Sequence, residues 1–246
     1  MGLNWGIFFE DAPFGGVKYY QWLLDGFANT ALLFVSSWTM AFIVGSLVGI
    51  LRTLPNRCLR ALGTAYVEIF RNIPLLVQFF IWYAVIPELL PRSAGIWVKR
   101  IDPPVQSFLF SLVCLGFFTG GRIAEQVRSG IEALSKGQRK AGLALGMTMA
   151  QTYRHILMPN AYRIIMPPLT SESLNLIKNT AVASTIGLID LTFQAYRLLD
   201  FSANSYESFI AITLAYVFLC LITLSIMRWI ERRIRVAPTA PGRSRA

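Results

Sequence analysis

The sequence predicts an all-α integral membrane protein with five transmembrane helices, its N-terminus outside and its C-terminus in the cytoplasm. Composition is the first reason: 54% of residues are hydrophobic and 15% charged, and mean hydropathy is +0.51, unlike an ordinary soluble domain. Segmentation is the second. Uncharged runs of 25, 20 and 19 residues occupy 27–51, 208–227 and 103–121, each long enough to cross a hydrocarbon core of about 30 Å. Charge placement is the third. Segments 52–60, 128–163 and 228–246 hold 15 Lys/Arg against two acids, while the remaining external segments hold five against eight. Basic residues near span ends stay cytoplasmic, and this sets the orientation. The net charge of +10 therefore reports topology, and its arrangement by side of a membrane argues against a nucleic-acid partner.

Residues 1–20 read as a periplasmic or interfacial segment carrying the aromatic anchors Trp5, Phe8, Phe9, Tyr19 and Tyr20. Glu10, Asp11 and Asp25 stand where a signal peptide would be basic, so the first span is expected to be retained. Residues 21–235 form the transmembrane domain. Its second and fourth spans, 61–86 and 163–188, are long enough but carry Glu68 and Arg71 in one and Glu172 and Lys178 in the other. Pro167 and Pro168 are expected to interrupt the fourth helix and free backbone groups to line a cavity. Residues 236–246, rich in Pro, Gly, Ser and Arg, read as a disordered cytoplasmic tail. Cys58, Cys114 and Cys220 lack C-x-x-C spacing and are expected to be free thiols.

The cytoplasmic loop 129–162 contains the most distinctive stretch, S-K-G-Q-R-K-A-G-L-A-L-G-M-T-M-A-Q-T-Y-R-H-I-L-M-P from Ser135 to Pro159. Ser135 with Gln138, and Thr148 with Gln151, have capping-box spacing, and Gly146 between them suits a left-handed helix end. Two short helices at an angle are expected. Ala141, Gly142 and Ala144 would give the first a small face that another protein's surface can approach closely.

The chain has no G-x-x-x-x-G-K-[ST], G-x-G-x-x-G or H-E-x-x-H, and His155 is its single histidine, so neither ATP binding by a P-loop nor metal chemistry is indicated. An energised transporter of this kind would borrow its engine. Charges inside spans are costly and normally face a bundle interior or a wet cavity. Glu68 with Arg71, and Arg122 with Glu125, stand three apart and can pair locally or join an interhelical network. Lys178 has no acid at i±3 or i±4 and needs a partner on another helix or an anionic substrate.

G-Q-R-K-A-G-L-A-L-G followed by Q-T-Y-R-H-I-L-M-P-N-A-Y-R resembles the cytoplasmic EAA loop of ABC importer permeases, in the polar-amino-acid branch of that family. E-I-F-R-N-I-P-L-L-V-Q, E-Q-V-R-S-G-I, P-P-L-T-S-E and I-K-N-T-A-V-A-S-T-I-G match in order, from about residue 20 to 235. N-W-G-I-F-F, V-I-P-E-L-L-P and L-T-F-Q-A are most similar to glutamate/aspartate permease subunits. Lys140 stands where the family has the leading Glu of its loop pattern, Gly142 where it has the second Ala, and Arg122 where it usually has Tyr.

The resemblance implies a type I ABC importer permease fold in a bacterial inner membrane. It implies a second permease subunit, homologous or identical, and a pair of ATPase subunits that hydrolyse ATP in the cytoplasm. It also implies a periplasmic or membrane-anchored amino-acid-binding protein that docks on the external loops 87–104 and 189–206. No cofactor or enzymatic site of its own is expected. Lys178, Arg122, Glu68, Arg71, Glu125, Gln78 and Asn179 are the candidates for the substrate pathway, Lys178 and Arg122 for a substrate carboxylate. Gly137, Gln138, Lys140, Ala141, Gly142, Ala144, Leu145, Gly146 and Pro159 are the candidates for coupling to the ATPase, with Gly146 as the corner that transmits motion. The competing readings are a permease for glutamine or basic amino acids and, in a different class, an ATP-independent ion channel.

Overall fold

The computed structural model describes residues 4–13, 16–134, 136–202 and 204–234. The predicted tail 236–246 and the Ser135 cap lie outside the described residues. Helices account for the regular structure among those described: α1 (Tyr19–Leu51), α2 (Arg57–Asn72), α3 (Leu75–Phe80), α4 (Ile86–Leu89), α5 (Arg92–Lys99), α6 (Pro103–Ala133), α7 (Lys136–Ala144), α8 (Met149–Thr152), α9 (Met158–Asn179), α10 (Leu191–Ser202) and α11 (Ser205–Ile234). No strand occurs among them, only an isolated bridge between Asp11 and Lys18.

Three helices, α1, α6 and α11, are long and apolar enough to span a membrane, or four spans if the bent pair Arg57–Asn72 and Leu75–Leu89 counts as one. The predicted second span is thus not a single straight helix but turns through 105°. Pro74 causes the break. It has no N–H to continue α2, and it pushes Ile73 into an extended conformation with ψ 129°. Gln78 holds the corner, its Nε2 donating to the Phe70 and Ile73 carbonyls at 2.9 Å each.

The fourth span also differs from expectation. α9 runs without interruption through Pro167 and Pro168. Two prolines remove only two ladder bonds, and their fixed φ is helical. Meanwhile Ala161, Ile165, Met166 and Leu169 hold the helix in the core that also contains Ile123 and Val127 of α6. Irregularity appears instead at the two ends of α9, as a π-helical turn over Tyr153–Leu157 and a 3-10 turn over Thr180–Ile186. The π turn joins α8 directly to α9, so the second short helix predicted for the loop is the first turn of a longer rod.

The centre of the bundle is the α1–α6 interface. α1 buries Ser37, Ala41, Gly45 and Gly49, four residues apart and in one line. A Cβ on Gly45 would sit 2.7 Å from the Gly120 carbonyl oxygen, so the glycines let the two backbones touch.

Candidate functional site

The six charges weighed above, Glu68, Arg71, Arg122, Glu125, Glu172 and Lys178, come from α2, α6 and α9. Five of the six lie on these helices near the α2–α3 corner; the sixth, Lys178, does not join them. Arg71 of α2, Arg122, Glu125 and Gln126 of α6, and Glu172 of α9 line a common cavity of about 300 Å³. Neither expected local pair forms. Arg122 meets Glu172 at 3.8 Å rather than Glu125, and Arg71 meets Glu125 at 3.8 Å rather than Glu68. Glu68 turns outward and accepts the Asn72 amide at 2.8 Å.

Glu125 is engaged elsewhere. Arg52, at the end of α1, reaches it at 2.5 Å, and Arg128 binds its other oxygen while also holding Glu132 at 2.5 Å. A carboxylate held by two close guanidinium groups has little left for a third. Arg71 is therefore only loosely paired where it lines the cavity, and Arg122 has just the 3.8 Å contact with Glu172. The Arg122 guanidinium also lies 5.0 Å from the Phe118 ring, a cation–π contact that orients it. The sequence reading counted Arg52 and Arg128 as loop charges. The signal that would have found Arg52 is its place directly after the charge-free run 27–51.

Three pathway candidates sit elsewhere. Lys178 lines a separate, largely apolar groove of about 350 Å³ between α9 and α11, with Leu174, Tyr216 and Cys220 among its neighbours. Six residues separate Lys178 from Glu172, about 240° around the helix, so the two cannot share a cavity. Lys178 makes no ion pair among the described residues, and Asn179 ends α9 beside it. Gln78 is 3% exposed and committed to the α2–α3 corner rather than to the cavity.

The loop helix α7 ends as the sequence predicts. Gly146 has φ +79°, the Met147 amide donates to Gly142 O at 3.1 Å, and the Gly146 amide donates to Leu143 O at 3.0 Å. That bond pair is a Schellman motif. Thr148 and Gln151 form the reciprocal capping box that restarts the helix. The small face divides in two. Gly142 points into the protein, where an added Cβ would meet Thr152 and Ile156 at 3.0 Å. Gly137, Lys140, Ala141, Ala144, Leu145 and Gly146 face outward, Leu145 with 81% of its surface exposed. Gln138 is partly buried, its Oε1 without a partner among the described residues, and Pro159 occupies the first turn of α9.

Residues 41–236 match the family described as "Binding-protein-dependent transport system inner membrane component". The chain belongs to this family. The chain is 54% identical over 98% of its length, and 98% of the relative's, to the glutamate/aspartate import permease protein GltJ of Escherichia coli K12. It is 35% identical, over 87% of this chain and 94% of the relative, to the probable glutamine ABC transporter permease protein GlnM of Bacillus subtilis. A solved amino acid ABC transporter structure with histidines superposes with TM-score 0.72 at 27% identity, covering 87% of this chain and 95% of that one. The methionine transporter MetNI in an inward-facing conformation superposes with TM-score 0.73 at 21% identity, covering 88% and 97%, which shows the shared fold. As a family member with several long apolar helices, the chain is a multi-pass inner-membrane permease subunit of an ABC importer.

Proposed function

We propose that this permease carries glutamate or aspartate into the cytoplasm, and that Arg122 and Arg71 present its path to the substrate's carboxylates. The observation that carries the reading is the pair of guanidinium groups on a polar cavity between α2, α6 and α9, each 3.8 Å from its acid partner. A guanidinium pairs a carboxylate through two parallel hydrogen bonds, which an amide cannot match in charge. The name of the 54% identical relative supports the same substrate class.

In this reading five spans cross the membrane, with the N-terminus outside, and a second permease subunit closes the path. A binding protein delivers the amino acid to the outer loops, and separate ATPase subunits grip the outward face of α7. This chain hydrolyses no ATP itself. ATPase closure moves α7, and the Schellman turn at Gly146 passes the motion into the 149–179 rod that carries Glu172.

Uptake of labelled glutamate by proteoliposomes containing the full transporter tests the proposal, with aspartate, glutamine and arginine as competitors. Arg122→Gln is expected to lower uptake at least tenfold while ATP hydrolysis persists, and Lys178→Gln, away from the cavity, is expected to cost less. Competition by glutamine as strong as by aspartate would favour the glutamine reading suggested by the 35% identical relative. Glutamate flux without ATP would point to a channel.

A further inference from the structure

We propose that a second, separate pocket of this chain binds a phosphate group, most directly that of an anionic phospholipid headgroup, against the inner face of α7. A cavity of about 340 Å³ opens where the end of α1, the start of α2, the end of α6, α7 and the π turn converge. Arg52, Arg60 and Arg139 contribute three guanidinium groups to it, with Thr53 and Tyr153 as polar neighbours. Its single acid, Glu132, is held by Arg128 at 2.5 Å. Arg60 and Arg139 form no ion pair among the described residues. The pocket therefore carries surplus positive charge.

Two further observations point to a ligand. The Arg52 side chain is only 9% exposed, its Nη1 is committed to Glu125 and its buried Nε has no hydrogen-bond partner. A buried charge that is incompletely paired is costly, and an anion in the cavity that Arg52 lines would offset that cost electrostatically. Ile131, Leu134 and Leu157 form the apolar part of the lining, which suits a glycerol or acyl stem better than a free ion. Basic pockets between helices on the cytoplasmic side attract anionic headgroups.

Arg139 lies three residues from Gly142, on the face of α7 turned toward the protein, while Ala141, Ala144 and Leu145 face outward. An occupied pocket thus holds α7 from behind and leaves the outward face uncovered. This site shares no lining residue with the Arg71–Arg122 cavity, although its Arg52 also holds Glu125 there.

The purified full-length chain in neutral detergent is titrated with short-chain phosphatidylglycerol, short-chain phosphatidylcholine and inorganic phosphate, and binding is read by thermal melting and by native mass spectrometry. Arg60→Gln/Arg139→Gln is compared with Arg57→Gln/Arg154→Gln, which removes the same charge from exposed positions outside the pocket. Saturable stabilisation by phosphatidylglycerol over phosphatidylcholine is expected, with at least tenfold weaker apparent affinity in the first variant and little change in the second. Inorganic phosphate that stabilises as strongly as phosphatidylglycerol, with the same dependence on Arg60 and Arg139, supports the phosphate site and assigns it to free anion rather than lipid. Equal affinity for phosphatidylglycerol and phosphatidylcholine with no response to phosphate, or equal weakening by both variants, overturns the proposal.

Discussion

Asp190 has no exposed surface, yet both its oxygens are engaged. Oδ1 accepts the Phe193 amide at 2.8 Å and so caps α10, and Oδ2 accepts the Tyr216 hydroxyl at 3.4 Å. It sits in the turn between α9 and α10, against Tyr216 at the middle of α11 and next to Leu191, whose amide donates to Thr30 of α1. Asp190→Asn keeps an acceptor for Phe193 and lets the amide donate to the Tyr216 oxygen. Asp190→Asn is expected to melt close to wild type and Asp190→Leu, which leaves the Phe193 amide uncapped, to lose about 0.5–2 kcal/mol of stability; equal melting of the two variants would remove Asp190 as the cap of α10. The sequence placed this residue among eight external acids and gave no sign of its burial. Span charges were legible to the same limited degree. Their presence was evident, but the i,i+3 pairs Glu68–Arg71 and Arg122–Glu125 gave way to partners on other helices, which spacing along one helix cannot reveal.

At the scale of elements, local backbone chemistry was the most readable information. The capping box at Thr148 and the left-handed end at Gly146 depend on residues within one turn, and both form as their spacing predicts. Pro74 had the same kind of local force and broke the second span, whereas Pro167 and Pro168 did not break the fourth. The difference is tertiary: the latter pair lie in a helix packed along α6, while Ile73 and Pro74 lie at a corner that Gln78 can clamp. Gly146 offers a clean test because nothing lies within 4 Å of a Cβ built there. Gly146→Ala adds only the left-handed backbone cost, about 1–2 kcal/mol, and Gly146→Asn adds less because Asn tolerates that conformation. In the reconstituted transporter, Gly146→Ala is expected to lower amino acid transported per ATP hydrolysed, with Gly146→Asn closer to wild type. Identical coupling in all three proteins would separate this turn from force transmission.

For the whole molecule, a fully apolar helix hides which side it buries. Charge-free runs announced that α1 crosses a membrane, but polarity does not distinguish its core face from its lipid face, since both are hydrophobic. Size does. The buried line Ser37, Ala41, Gly45 and Gly49 is small, while exposed positions between them, such as Ile43 and Leu47, are large. In lipid, helices gain little by hiding apolar surface from one another, so close backbone contact and packing must hold the bundle. The same line sets the site. α6 carries Gly120, Arg122 and Glu125 within two turns, so any separation of α1 from α6 also withdraws Arg52 from Glu125 and alters the charge facing Arg71 and Arg122. An added Cβ on Gly45 would stand 2.7 Å from both the Gly120 oxygen and Ile123 Cβ, backbone and branch point that cannot swing away. Gly45→Ala is therefore expected to destabilise the chain by roughly 1–3 kcal/mol, the range typical of overpacking, and Gly45→Leu to prevent recovery of folded protein. Leu47→Phe, enlarging a residue that is 58% exposed on the same helix, is expected to fold and transport as wild type does. Melting and uptake measured together on Gly45→Ala and Leu47→Phe decide the matter. Loss at Gly45 alone places the structural centre of this permease on the α1–α6 contact; equal loss at both positions would mean that α1 is packed on its outer face as tightly as on its inner one.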